Sequence, residues 1–131
     1  MNTLPDKADT PKYLKAIRLI NTEDGKCDFE TGRIPIRQHI NAKYFFAQTD
    51  VSLQHSIHPA PRRQFVITLK GRLKFTVTNG NTFILEPGIV LIANDIQGDG
   101  HTWKILDGNE WERIYIPLEE DNDDYFIADK L

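Results

Sequence analysis

Residues 64–93, QFVITLKGRLKFTVTNGNTFILEPGIVLIA, decide the fold. In Gln64–Lys70, Phe65, Ile67 and Leu69 fall on one face of an extended chain, and Gln64, Val66 and Thr68 fall on the other. In Arg72–Thr78, Leu73, Phe75 and Val77 alternate with Lys74, Thr76 and Thr78. Side chains on a strand point to opposite faces in turn, so a period of two marks strands and not helices. Thr82–Glu86 and Ile89–Ala93 are further short runs rich in β-branched and aromatic residues. Lys70-Gly71, Asn79-Gly80 and Pro87-Gly88 punctuate them. Asn79-Gly80 lies between two alternating runs and predicts a hairpin with a type I′ turn, which needs positive φ at both central residues.

The same pattern continues outward. His101–Leu106 and Trp111–Pro117 read as strands on either side of Asp107-Gly108. Upstream, Tyr13–Ile20 and Lys26–Ile36 flank Glu23-Asp24-Gly25 and form an N-terminal hairpin. Tyr44–Ile57 reads as one long or bent strand. No segment carries a helical stripe. Short strands at regular spacing with turns between them imply an all-β sandwich or closed barrel, in which edges are hidden. The chain has 131 residues, enough for one domain with one core. Residues 1–12 read as a loose N-terminal arm, 13–118 as a single domain and 119–131 as an acidic C-terminal tail. That tail is either a solvated end or a segment that docks through Tyr125, Phe126 and Ile127.

Charge and cysteine content narrow the functions. Sixteen basic and nineteen acidic side chains give a net charge of −3, unlike the basic balance of a general nucleic-acid binder. No apolar run approaches the roughly 18 residues a membrane helix needs. The single cysteine, Cys27, excludes an internal disulfide and a Cys-rich zinc site. A cytoplasmic or otherwise reducing compartment is expected. With no histidine near it in sequence, Cys27 reads as packing and not as a nucleophile.

The chemistry gathers around histidines. Of His39, His55, His58 and His101, the pair at 55 and 58 is three apart, which on a regular strand sends the two rings to opposite faces. His58 and Gln64 are six apart and share a face. His101 follows Gly98-Asp99-Gly100 and aims with Trp103 and Ile105. His58, Gln64 and His101 therefore converge inside a barrel. Arg62 shares the parity of Gln64 and is the better placed of Arg62 and Arg63 to face a pocket, where a guanidinium grips a carboxylate or phosphate. Pro59 and Pro61 keep this stretch extended and lacking donors, as at an entrance.

His58-Pro-Ala-Pro-Arg-Arg-Gln64, Gly71, Pro87-Gly88 and Gly98-Asp-Gly-His101 together resemble the small single-domain cupins. The resemblance covers residues 45–117 and is sharpest over 58–105. It implies a cupin β-barrel or jelly roll in which three histidines and a glutamate hold a divalent metal. Against that pattern Ser52 stands at the first glycine, Ala60 at the second histidine, Gln64 at the glutamate, Asn94 at the proline and Ile105 at the asparagine. His58, Gly71 and Gly88 fit, and His101 fits with a turn two residues longer. The closest likeness is to cupins with no assigned activity.

Two functions follow as expectations. The first is a barrel that binds a small polar or anionic molecule through Arg62, Gln64, His101 and Trp103, with weak or no metal binding. The second is a metal-dependent enzyme, a dioxygenase-like oxidoreductase or an isomerase, with His58, Gln64 and His101 around iron, manganese, nickel or zinc. A homodimer is the expected assembly, as the resemblance to small cupins implies. A protein-binding module built on the acidic tail or on a barrel edge is a third expectation.

Overall fold

The computed structural model describes residues 12–129, so all of the N-terminal arm except Lys12, and the last two residues, lie outside the described residues. Ten strands carry the chain: β1 (Tyr13–Asn21), β2 (Cys27–Pro35), β3 (Phe46–Gln48), β4 (Gln64–Lys70), β5 (Leu73–Val77), β6 (Thr82–Leu85), β7 (Ile89–Ala93), β8 (His101–Ile105), β9 (Glu112–Pro117) and β10 (Ile127–Ala128). A seven-stranded sheet runs β10-β2-β1-β7-β4-β9-β3, and a three-stranded sheet runs β6-β5-β8. The fold is all-β, as the alternation requires. Among the described residues the two ladders remain separate sheets and do not close into one barrel. No helix among them is long and apolar enough to cross a membrane.

The predicted alternation sets the packing. Val66, Leu73, Phe75, Val77, Phe83, Leu85, Leu91 and Trp103 meet between the sheets with Ile17, Leu19 and Cys27. Burying such side chains is worth about 1.5–3 kcal/mol each. Phe75 sits at the centre, stacked on Phe83 at 5.1 Å between ring centroids and edge-on to Trp111 at 6.0 Å. A second cluster forms on the outer face of the large sheet, from Ala16, Ile34, Phe65, Val90, Ile92 and Leu118. β7 is therefore buried at all five positions, which explains its unbroken apolar run. It pairs parallel with β1 and antiparallel with β4.

Residues 118–129 contribute to that outer layer. Tyr125 and Phe126 pack against the second cluster, and Ile127 and Ala128 pair with Arg33 and Gly32 of β2. Arg63 holds the segment by donating to the carbonyls of Glu120 and Asn122 at 3.2 and 3.1 Å. Asp124 is buried and accepts from Arg18 at 3.1 Å, while Arg18 also meets Glu30 at 2.9 Å and lies over the Phe126 ring. Burial works against the Asp124 charge, but the Phe126 N–H and the Arg18 guanidinium outweigh it and hold the carboxyl below its ordinary range. A carboxyl whose folded pKa is depressed stabilises the fold above its unfolded pKa, about 3.9. That contribution disappears as pH falls through the lower folded value. Urea midpoints should therefore drop below about pH 4, and Asp124→Asn should be less stable at pH 7 and flatter across that acid range.

Two local expectations are corrected. The Asn79-Gly80 hairpin forms, but only Gly80 has positive φ, at 101°. Gly80 N–H bonds Val77 O at 2.9 Å and Val77 N–H bonds Asn81 O at 3.0 Å, a type I turn closed by a glycine bulge over a three-residue loop. Tyr44–Ile57 is not one strand. Only Phe46–Gln48 pairs, with β9, and the chain then turns through residues 52–55, where His55 adopts φ 70°.

Candidate functional site

The turn after β3 returns the chain along the free edge of β8. His55 N–H bonds Trp103 O at 3.0 Å, and His58 and His101 exchange backbone hydrogen bonds at 3.1 and 3.0 Å. Residues 55–58 thus extend the small sheet, and the proline-bracketed stretch after them crosses to β4. Ala60 N–H bonds Asp95 O at 3.0 Å on the way. Gly100 makes the close approach possible: it has φ +81°, and a Cβ there would overlap the His58 carbonyl.

Two connected chambers open between the sheets at this crossing. The inner one has a volume of about 60 Å³ and is lined by His58, Gln64, Phe75, His101, Trp103 and Trp111, among others. The outer one, about 340 Å³, is lined by Phe46, Asp50, Arg62, Arg113 and Tyr115. They share His58, Pro61, Gln64, Trp103 and Tyr115. All five residues singled out from sequence, His58, Arg62, Gln64, His101 and Trp103, line one or both chambers. His39 and His55 are exposed and lie apart from them.

The imidazoles are fixed from behind. His58 Nδ1 lies 3.0 Å from Ser56 O, and a carbonyl only accepts, so Nδ1 carries the proton. His101 Nδ1 lies 2.5 Å from Asp95 Oδ2 in a fully buried contact. With Asp95 as a carboxylate, that nitrogen is also the protonated one. Each ring then offers Nε2 as its remaining donor or acceptor. The ring centroids are 5.5 Å apart.

Gln64 plays a different part from the one expected of it. Arg62 Nη1 donates to Gln64 Oε1 at 2.7 Å. Arginine has no acceptor, so the amide oxygen must face it, and a fixed positive charge sits beside the one atom by which Gln64 could bind a metal. No carboxylate lines the inner chamber among the described residues. Two imidazoles without a carboxylate do not fit a resident transition metal, which takes at least three protein donors. The His58, Gln64 and His101 set therefore carries no metal step here.

Three contributors were not singled out in the sequence. Arg113 is 5% exposed. Its Nε donates to Tyr115 Oη at 3.0 Å, its Nη1 donates to Trp111 O at 2.9 Å, and its plane lies 4.0 Å from the Trp111 ring centroid. It makes no ion pair within 4.0 Å among the described residues. Asp50, on the same chamber, turns its carboxylate to Ser52, whose N–H and hydroxyl each donate at 2.9 Å. Those bonds, and after them the charge of Arg113, hold the Asp50 carboxyl below its ordinary range. Asp95 is the third, wholly buried behind His101 and beside Cys27, whose Sγ donates to Oδ2 at 3.3 Å. Parity in sequence was the available signal. Arg113 lies between Trp111 and Tyr115 on their face, and Asp95 continues the inward series of Ile89, Leu91 and Ala93. The chain matches no protein-family model, and no curated protein is significantly similar to it.

Proposed function

We propose that the protein is a small cupin-like binding protein that holds a small organic anion, a carboxylate, between its sheets. The observation that carries this reading is Arg113, a buried guanidinium with no carboxylate within 4.0 Å among the described residues; the Asp50 carboxylate on the same chamber feels its charge but is turned to Ser52. Burying a charge without its counter-ion is costly. Aromatic faces offset part of that cost, with Trp111, Tyr115 and Trp103 all within 5.9 Å of the guanidinium carbon. They also lock its plane, and Nη2 makes no hydrogen bond among the described residues. A carboxylate in the outer chamber supplies the missing charge. Arg62 adds a second cation, steadied by Gln64 and lying 5.7 Å from the Phe46 ring centroid. The Nε2 atoms of His58 and His101 are left for the rest of the molecule. The chamber suits a ligand at the small end of ordinary binding sites. The cupin reading rests on the motif residues together with the pairing of His58 and His101 at the edge of the small sheet, beside the chamber.

Calorimetric titration with oxalate, pyruvate, succinate and benzoate tests this. At least one should bind, and Arg113→Met should weaken it about 10–100-fold, the worth of a charge-assisted hydrogen bond. Arg113→Lys should fall between, since it keeps the charge and loses the fork. Absence of binding by all four acids, or unchanged affinity in a folded Arg113→Met protein, would contradict the reading.

A further inference from the structure

Behind His101, away from the chambers, Cys27, Asp95 and His101 offer Sγ, a carboxylate oxygen and Nδ1, all within 4.8 Å of one another and all buried. Within the cluster Asp95 Oδ2 accepts from Cys27 at 3.3 Å and from His101 at 2.5 Å. Asp95 Oδ1 is the buried side-chain polar atom left without a partner among the described residues. The carboxylate is 0% exposed, and no lysine or arginine pairs with it there. Its position is costly as it stands, because neither lysine nor arginine offsets its charge and Oδ1 has no hydrogen bond.

We propose that Cys27, Asp95 and His101 form a buried zinc site. Sulfur, nitrogen and carboxylate oxygen are zinc's preferred donors, at about 2.0–2.3 Å. The three residues supply three protein donors, one each, the number found in zinc sites that keep an open fourth position. The charges cancel. Zinc brings two positive charges, the Cys27 thiolate and the Asp95 carboxylate one negative charge each, and His101 is neutral. A site with no net charge is the kind a dry interior tolerates. On binding, the Cys27 thiol proton leaves to solvent and the His101 ring proton moves from Nδ1 to Nε2, so one proton is released per ion. His101 then presents N–H to the inner chamber, where it donates to a bound anion. The site shares His101 with the chamber but uses its Nδ1 and not its Nε2, and it stands whether or not the chamber binds a carboxylate.

Cobalt(II) is the probe, since its spectrum reports its ligands. One equivalent of cobalt chloride added to the full-length chain should give a near-ultraviolet thiolate-to-cobalt band and the visible bands of tetrahedral cobalt. Zinc sulfate should abolish both, and Cys27→Ser should lack the thiolate band. Asp95→Asn should bind at least tenfold more weakly. Absence of the thiolate band in the wild-type protein overturns the site, and so does cobalt bound without it, which places the ion at a site without sulfur. Retention of the band in Cys27→Ser overturns it as well. The wild-type spectrum is decisive even where the serine variant fails to fold.

Discussion

Phe75→Ala should cost about 3–5 kcal/mol of folding stability, the range for truncating a well-packed aromatic in a core. Phe75 is 1% exposed and faces the large sheet from the middle of the small one. It stacks on Phe83 and on His101, at 5.1 and 5.6 Å between centroids, and meets Trp111 edge-on. Removing the ring leaves a hole that both sheets line, and neither ladder can collapse into it without losing register. Domains are stable by only about 5–15 kcal/mol, so the loss is a large share of the total. The urea midpoint should fall sharply with little change in slope. A loss below about 1 kcal/mol would mean that the two sheets do not pack through this ring. The inner chamber should also lose its shape, because Phe75 forms one of its walls.

Gly100→Ala should be comparably disruptive, through the backbone. The residue occupies φ +81°, and an L side chain in that region costs about 1–2 kcal/mol before any contact is counted. The added methyl would also overlap the His58 carbonyl and the Pro59 nitrogen. These are backbone atoms and cannot rotate aside. Relief requires residues 55–60 to leave the edge of β8, which breaks the reciprocal His58–His101 hydrogen bonds. His58 would then separate from His101 and the chambers would open. Amide exchange at His58 and His101 should lose protection in this variant, and carboxylate binding should fall with it. Unchanged protection would show that the edge pairing does not position His58.

Most of the strands could be read from sequence because their burial is one-sided and periodic. Gln64–Lys70 and Leu73–Val77 carry the alternation plainly, and Ile89–Ala93 announces a strand buried on both faces. The stretch 44–57 could not be read so. Its apolar residues suggest a strand, but the backbone turns at 52–55 and leaves Leu53 and Ile57 exposed. The fate of the acidic C-terminal segment was equally hidden. Its docking depends on Arg18 and Arg63, which lie far from it in sequence and point its way only once the large sheet exists.

The site divides along the same line. Gln64, His101 and Trp103 lie on one chamber system because strand parity fixes their direction, and His58 and Arg62 reach it through the bridge to His101 and the bend at residues 61–63. What each one does there depends on partners the spacing does not reveal. Gln64 gives its oxygen to Arg62 rather than to a metal. Cys27 had no histidine beside it in sequence, yet folding brings it to Asp95, 68 positions away, and through Asp95 to His101. Arg113 lies between Glu112 and Ile114 in sequence. Its burial follows from the parity it shares with Trp111 and Tyr115.

The central claim is that the space between the sheets holds an organic anion against Arg113. The chain has two tryptophans, Trp103 and Trp111, and both line the inner chamber. A ¹H–¹⁵N spectrum therefore carries two indole signals, both from the chamber. On titration with the tightest-binding carboxylate, the Trp103 indole and the Arg113 Nε–H signals should shift together and saturate at the calorimetric Kd, and in Arg113→Met the Trp103 indole should barely move. Saturating shifts confined to the outer face of the large sheet, with both indoles unmoved, would contradict it.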